Sequence, residues 1–255
     1  MSAGESETIT AALVVIGDEI LSGRTKDRNI GYLADHLTTI GIQLREVRIV
    51  PDVETEIVEA LNALRTRNTY VFTTGGIGPT HDDITADSVA AAFGVSIDVD
   101  PRALAIMTPY YAERGLEFTD ARRRMARIPH GAELIENAVS NAPGFMLDNV
   151  IVMAGIPKVM QVMLDAVTPK LRTGAKMLSE TIALHRPESE ISDLLGAAQD
   201  AWPDVAMGSY PFFENGSYGT QMVLRSTDPA QLASATAEIK SALDARGWSE
   251  TRRPE

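Results

Sequence analysis

Apolar and polar positions follow two periods along the chain, and the way these periods take turns predicts the fold. Residues 11–21, AALVVIGDEIL, open with a continuous apolar run that stops at Gly17, the pattern of a strand covered on both faces. In NIGYLADHLTTIG, Ile30, Leu33, Leu37 and Ile40 recur at helical spacing and Gly41 marks the end. IQLREVRIV alternates as a strand does. Asp52 then opens a helix through VETEIVEALNALRTR, with Ile57, Leu61 and Leu64 along one stripe, and TYVFTTGG reads as a third strand. A helix follows in ITADSVAAAFG, then a longer helical stretch from Pro101 to about Ile128 and a loop, PHGAELIENAVSNAPGF. The strand NVIVMAG and the helix IPKVMQVMLDAVTPKL close the series, the latter with Val159, Val162, Met163 and Val167 as its apolar face. Strands alternating with helices imply βαβ crossovers and a mainly parallel sheet.

From about Lys176 the rhythm changes. KMLSETIALH predicts a strand, and PESEISDLLGAAQDAW a helix started by Pro187 and two acids. DVAMGSYPFF and YGTQMVLRS predict a hairpin turning at ENGS, and Asp228-Pro229 starts a last helix. The expected architecture is α/β: a three-layer αβα domain over residues 1–172, followed by a smaller βαββα domain over 173–255.

Bulk properties narrow the chemistry. The chain has 255 residues, 44% hydrophobic, which is enough for two real cores. No run approaches the roughly 20 apolar residues of a membrane span, and MSAGESETIT lacks a signal-peptide layout. A chain without cysteine excludes disulfide and thiol chemistry, and a cytoplasmic location is expected. Four histidines and no cysteine argue against a structural zinc site. The net charge of −12 repels nucleic acid, and a phosphate-rich partner would want a cation between itself and the protein.

Candidate chemistry gathers where the parallel strands end, the usual ligand position of open α/β sheets. Three loops arrive there: IGDEILSGRT, GGIGPTHDD and MAGIPK. Gly75, Gly76 and Gly78, with Thr80 beside them, can present backbone N–H groups to a phosphate ahead of a helix N-terminus. No GK[ST] follows and the GxGxxG spacing is missing, so the loop is neither a P-loop nor a dinucleotide fingerprint. Asp82 and Asp83 are expected in the first turn of the next helix, with Asp18 and Glu19 just past the first strand. Acids in a first turn stabilise a helix by roughly 0.3–1 kcal/mol each, but capping needs no second acidic loop. Four acids beside a phosphate cradle call for a hard divalent cation (Mg²⁺, Mn²⁺ or Co²⁺) with Asp18, Asp82 and Asp83 as ligands. Arg122, Arg123 and Arg124 could grip phosphates or form a solvated helix face, and His81 stands near the cradle.

VVIGDEILSGRTKDRN, TTGGIGPTHDDIT, RMARIPHGAELIENAVSNAPGF and MAGIPKVM, in this order, resemble the molybdopterin-binding (MoaB/Mog-like) domain, in the version found in CinA proteins. The βαββα tail resembles the CinA middle domain. This likeness implies a site at the strand ends in which Asp18 and Asp83 match motif acids, Gly75, Gly76 and Gly78 match the cradle, and Gly155 and Pro157 contact substrate. Ala154 replaces the first proline of the family's PGxP. The resemblance implies a phosphate-bearing small molecule, nucleotide or pterin, as partner, and a homo-oligomer. It points first to metal-dependent cleavage of ADP-ribose-like dinucleotides, with Asp18, Glu19 and Asp83 catalytic. The alternatives are adenylylation of molybdopterin and a non-catalytic nucleotide- or pterin-binding module.

Overall fold

The computed structural model describes residues 8–250 except Asn215. The start of the MSAGESETIT segment and the Asn of the expected ENGS turn lie outside the described residues. The chain divides into two compact units, residues 1–174 and 175–255.

In the first unit β1 (Ile9–Ile16), β2 (Ile42–Val50), β3 (Tyr70–Thr74) and β8 (Val150–Met153) pair in parallel. β7 (Gly144–Leu147) and β6 (Glu133–Ile135) extend the sheet antiparallel, giving the order β2-β1-β3-β8-β7-β6. Helices cover both faces because each central strand is apolar on both sides. Ala12, Val14, Ile16 and Val71 pack on α3 (Glu54–Arg65), α4 (Thr85–Phe93) and α5 (Pro101–Glu113). Leu13, Val15 and Phe72 pack on α2 (Asn29–Thr39) and α7 (Pro157–Val167). A single turn, α1 (Asp18–Leu21), follows β1, and a 3₁₀ turn (Thr168–Lys170) follows α7.

Three expectations are corrected. The helical stretch expected from Pro101 to Ile128 breaks where Gly115 takes a left-handed φ of 63° and Leu116 N–H returns to Tyr111 O, a glycine stop. Beyond it lie α6 (Asp120–Arg124) and β5 (Arg127–Pro129), which pairs with β4 (Ile97–Val99). The segment read as one loop, 129–145, contains β6 and the start of β7, and the β7–β8 hairpin turns at Asp148, with a φ of 51°. Asp82 and Asp83 precede α4 rather than forming its first turn, which carries Asp87.

The second unit is a three-stranded antiparallel sheet, β10 (Ala206–Glu214), β11 (Ser217–Ser226) and β9 (Leu178–Leu184) in that order. α8 (Glu188–Ala201) and α9 (Pro229–Asp244) complete the βαββα series around Ile182, Leu184, Met222 and Leu224. Asp228 caps α9, its carboxylate accepting from Ala230 N–H at 2.8 Å and Gln231 N–H at 3.2 Å. Among the described residues no helix is long and apolar enough to cross a membrane.

Candidate active site at the strand ends

The strand-end loops meet through backbone. Gly75 has a φ of 104°, and a Cβ there would stand 2.2 Å from the carbonyl oxygen of Ile16 at the end of β1. Gly76 follows at φ 66°, where a Cβ would meet the Thr85 hydroxyl at 2.1 Å. That hydroxyl donates to Gly75 O at 3.0 Å, and Thr85 N–H donates to Gly76 O at the same distance. The first turn of α4 is thus tied to the glycine loop. Both positions exclude an L side chain for steric and conformational reasons. Gly155, from the loop after β8, lies so close that a Cβ on it would be 3.2 Å from Gly75 Cα. The three expected loops therefore share one sheet edge.

Asp83 shapes this cradle from within. Its carboxylate accepts from Thr80 N–H at 2.8 Å and from the Thr80 hydroxyl at 2.5 Å, and it packs over Gly78. Asp82 is more exposed, and its carboxyl is held below the ordinary range by local hydrogen bonding. His81 is 97% exposed and stands 3.9 Å from Asp82.

The acidic side of the edge includes a residue whose pattern reads only as a helix start. Asp52 does not cap α3, since Val53 takes that position without a side-chain bond. Its carboxylate instead accepts Asp18 N–H at 2.9 Å, linking the end of β2 to the loop after β1. Burial raises the Asp52 pKa; the Asp18 N–H opposes this, and the charges of Asp18, Glu19 and Asp82 add to the rise. Glu19 folds back over Gly17, its carboxylate 2.4 Å from where a Gly17 Cβ would stand. Only the long-range contact of Asp52 with the backbone of Asp18 could have exposed its place; no local sequence signal does.

Of the arginines, Arg122 stacks on Tyr111 at 4.7 Å and donates to Glu117 O. Arg127 is engaged with Asp87 through two 2.7 Å bonds, and Arg124 lines a cleft with Gly76, Gly78 and Asp83. Pro157 begins α7, and Gly155 O accepts from the Asn29 amide at 2.8 Å. Ala154, lying where the family pattern has proline, uses its N–H to donate to the sulfur of Met163 at 3.3 Å, a contact a proline could not make.

Among the described residues no three His, Cys, Asp or Glu side chains converge closely enough to hold a metal ion by themselves. The donor set still suits a hard cation in kind. It is all oxygen, the ionised Asp52 carboxylate is disfavoured first by burial and then by the nearby charges of Asp18, Glu19 and Asp82, and Mg²⁺ commonly uses one or two carboxylates together with substrate phosphates.

Comparison with known proteins agrees with this architecture. Residues 12–173 match the family described as probable molybdopterin binding domain, and residues 176–251 match FAD synthase, middle domain. A protein of Aeropyrum pernix is 35% identical over 210 residues, covering 79% of this chain and 78% of its own length. One of Pyrobaculum arsenaticum is 34% identical over 210 residues, covering 79% of each. Among solved structures, CinA of Thermoplasma acidophilum, described as of unknown function, is 33% identical with a TM-score of 0.59, over 64% of this chain and 99% of that one. With its glycine cradle and acidic strand ends in place, the chain belongs to the molybdopterin-binding-domain family, as a CinA-like member carrying a second unit of the FAD synthase middle-domain type.

Proposed function

We propose that the strand-end site is a metal-dependent pyrophosphatase that cleaves ADP-ribose-like dinucleotides. The observation that carries this reading is the gathering of Asp18, Glu19, Asp52 and Asp82 beside a backbone cradle, with the Asp52 pKa raised by burial and by its acidic neighbours. The cradle of Gly75, Gly76 and Gly78 receives the diphosphate, its shape set by Asp83 and Thr80. Asp18 and Asp82 would hold a divalent cation, which would supply neutralisation of the diphosphate charge. Asp52, with its raised pKa, takes a proton from the attacking water, and Glu19 orients that water. The water oxygen bonds to phosphorus as the bridging P–O bond breaks, giving AMP and a sugar phosphate from ADP-ribose. The match of the second unit to a domain of FAD synthase makes FAD a natural second substrate to assay.

The test incubates purified protein with ADP-ribose, FAD or NAD and Mg²⁺, Mn²⁺ or Co²⁺, reading products by chromatography. AMP release by the wild type, about 10²-fold slower in Asp52→Asn and reduced in Asp83→Asn, is the expected result. No release with any metal sinks the reading. Titration with molybdopterin and ATP would then test the adenylyl-transfer alternative, which the match to a molybdopterin-binding domain favours. Tight nucleotide or pterin binding without turnover would instead identify a binding module.

A further inference from the structure

A small pocket on the α2/α7 face of the same sheet edge is lined by Thr74, Asn29, Lys26 and Arg28, with the acidic residues Glu19 and Asp27 also on its wall. Four buried side-chain polar atoms lack a hydrogen-bond partner among the described residues, and two of them belong to this pocket: Asn29 Oδ1 and Thr74 Oγ1. Asn29 is 4% exposed and Thr74 only 1%. The Asn29 amide is fixed in orientation, because its nitrogen donates to Gly155 O at 2.8 Å and so leaves its oxygen as the unused acceptor. A buried polar atom without a partner costs roughly 1–3 kcal/mol, so two at one pocket call for a ligand or ordered water.

The rim carries both signs of charge. Lys26 and Arg28 are exposed, and no ion pair engages either among the described residues. The helix end beneath them is already served, since Asp27 accepts from Asn29 N–H at 3.0 Å and Ile30 N–H at 2.8 Å. Attraction for an anion therefore comes from the two cationic side chains, set against Glu19 and Asp27 on the same wall, and not from α2. The pocket, with about 60 Å³ open to water-sized groups, has room for several waters or for sugar hydroxyls.

From these features we propose a subsite for a sugar phosphate. Its hydroxyls donate to Asn29 Oδ1 and bond with Thr74 Oγ1, while its phosphate meets Lys26 and Arg28. The proposal rests on the pyrophosphatase reading in one respect, that this fragment is the ribose 5-phosphate half of the dinucleotide. The Gly75–Gly155 contact then separates the hydroxyl pocket from the Gly76–Gly78 side of the cradle, and the diphosphate crosses between them.

Thr74→Val isolates the claim, because the hydroxyl serves nothing in the fold and valine keeps its shape. Binding of ribose 5-phosphate, 2-deoxyribose 5-phosphate and inorganic phosphate is measured by calorimetry without metal or turnover, beside the melting temperature. Expected are ribose 5-phosphate binding weakened about five- to tenfold by Thr74→Val, further loss with Lys26→Ala, and inorganic phosphate binding unchanged by Thr74→Val. The melting temperature of Thr74→Val should equal or exceed that of the wild type. Unchanged ribose 5-phosphate affinity in Thr74→Val, no binding to the wild type, or a marked drop in melting temperature each overturns the subsite. If ribose 5-phosphate binds as expected while ADP-ribose is not hydrolysed, the pyrophosphatase reading falls and the subsite stands. AMP release combined with a Thr74→Val variant indifferent to ribose 5-phosphate gives the converse.

Discussion

The two units of this chain differ in how they treat polar groups. In the second unit, Thr236 Oγ1 apart, the buried polar side chains are matched: the Gln199 amide donates to Trp202 O and Val205 O and accepts Met207 N–H, so one side chain closes the end of α8 onto β10. Asp228 serves two N–H groups of α9, and the Thr220 hydroxyl donates to Arg186 O. At the strand ends of the first unit, burial, with a further contribution from acidic neighbours, raises the Asp52 pKa, and Asn29 Oδ1 and Thr74 Oγ1 stay unmatched. Packing alone explains the first arrangement. The second sacrifices stability locally, which is expected where groups await a ligand rather than each other.

That contrast can be broken by experiment, most sharply through activity. Asp52→Asn should lower AMP release about 10²-fold, whereas Gln199→Ala should leave it unchanged, both read in the chromatographic assay. Next comes backbone strain. Gly75→Ala sets a Cβ against the Ile16 carbonyl oxygen and should cost at least about 1–3 kcal/mol in denaturant unfolding, with loss of cradle function. Gln199→Ala is expected to cost a similar 1–3 kcal/mol through orphaned backbone groups, and here function survives. A Gln199→Ala variant that lost activity with full stability would reverse the comparison.

The smallest effect concerns pH. With its folded-state pKa raised above the ordinary carboxylate value, chiefly by burial, Asp52 keeps its proton to higher pH when folded than when unfolded. Its ionisation therefore lowers stability as pH rises from the unfolded value through the folded one. Asp52→Asn should melt a few degrees above the wild type at pH 7, and the gap should close below the unfolded pKa. A gap that widened in acid would show that the charge at Asp52 stabilises the fold.

What was legible in the sequence follows from the range of the forces involved. β1, β3 and β8 carry apolar runs that no other element type explains at that length, and Gly75, Gly76, Asp82 and Asp83 sit together in one loop, so fold class and cradle were readable locally. β4, β5 and β6 are three residues each and exist only through pairing with distant strands. Gly115 was visible, but a glycine inside a helical stretch does not announce whether the chain resumes as helix. Asp52 looked like a helix-starting acid because its partner, the Asp18 N–H, is 34 residues away. The isolation of Asn29 Oδ1 and Thr74 Oγ1 is a property of packing and has no local signature.

The close approach of Gly75 and Gly155 also bears on how the protein can vary. A side chain at position 155 would press on Gly75 Cα at 3.2 Å, so the neighbouring loop must yield by a few tenths of an ångström. Substitutions in these two loops, 80 residues apart in sequence, are therefore not independent: a lineage that enlarges one must first loosen the other. Drift at this edge should proceed by paired changes, and a library that randomises both loops together should recover functional combinations that single-site libraries never reach.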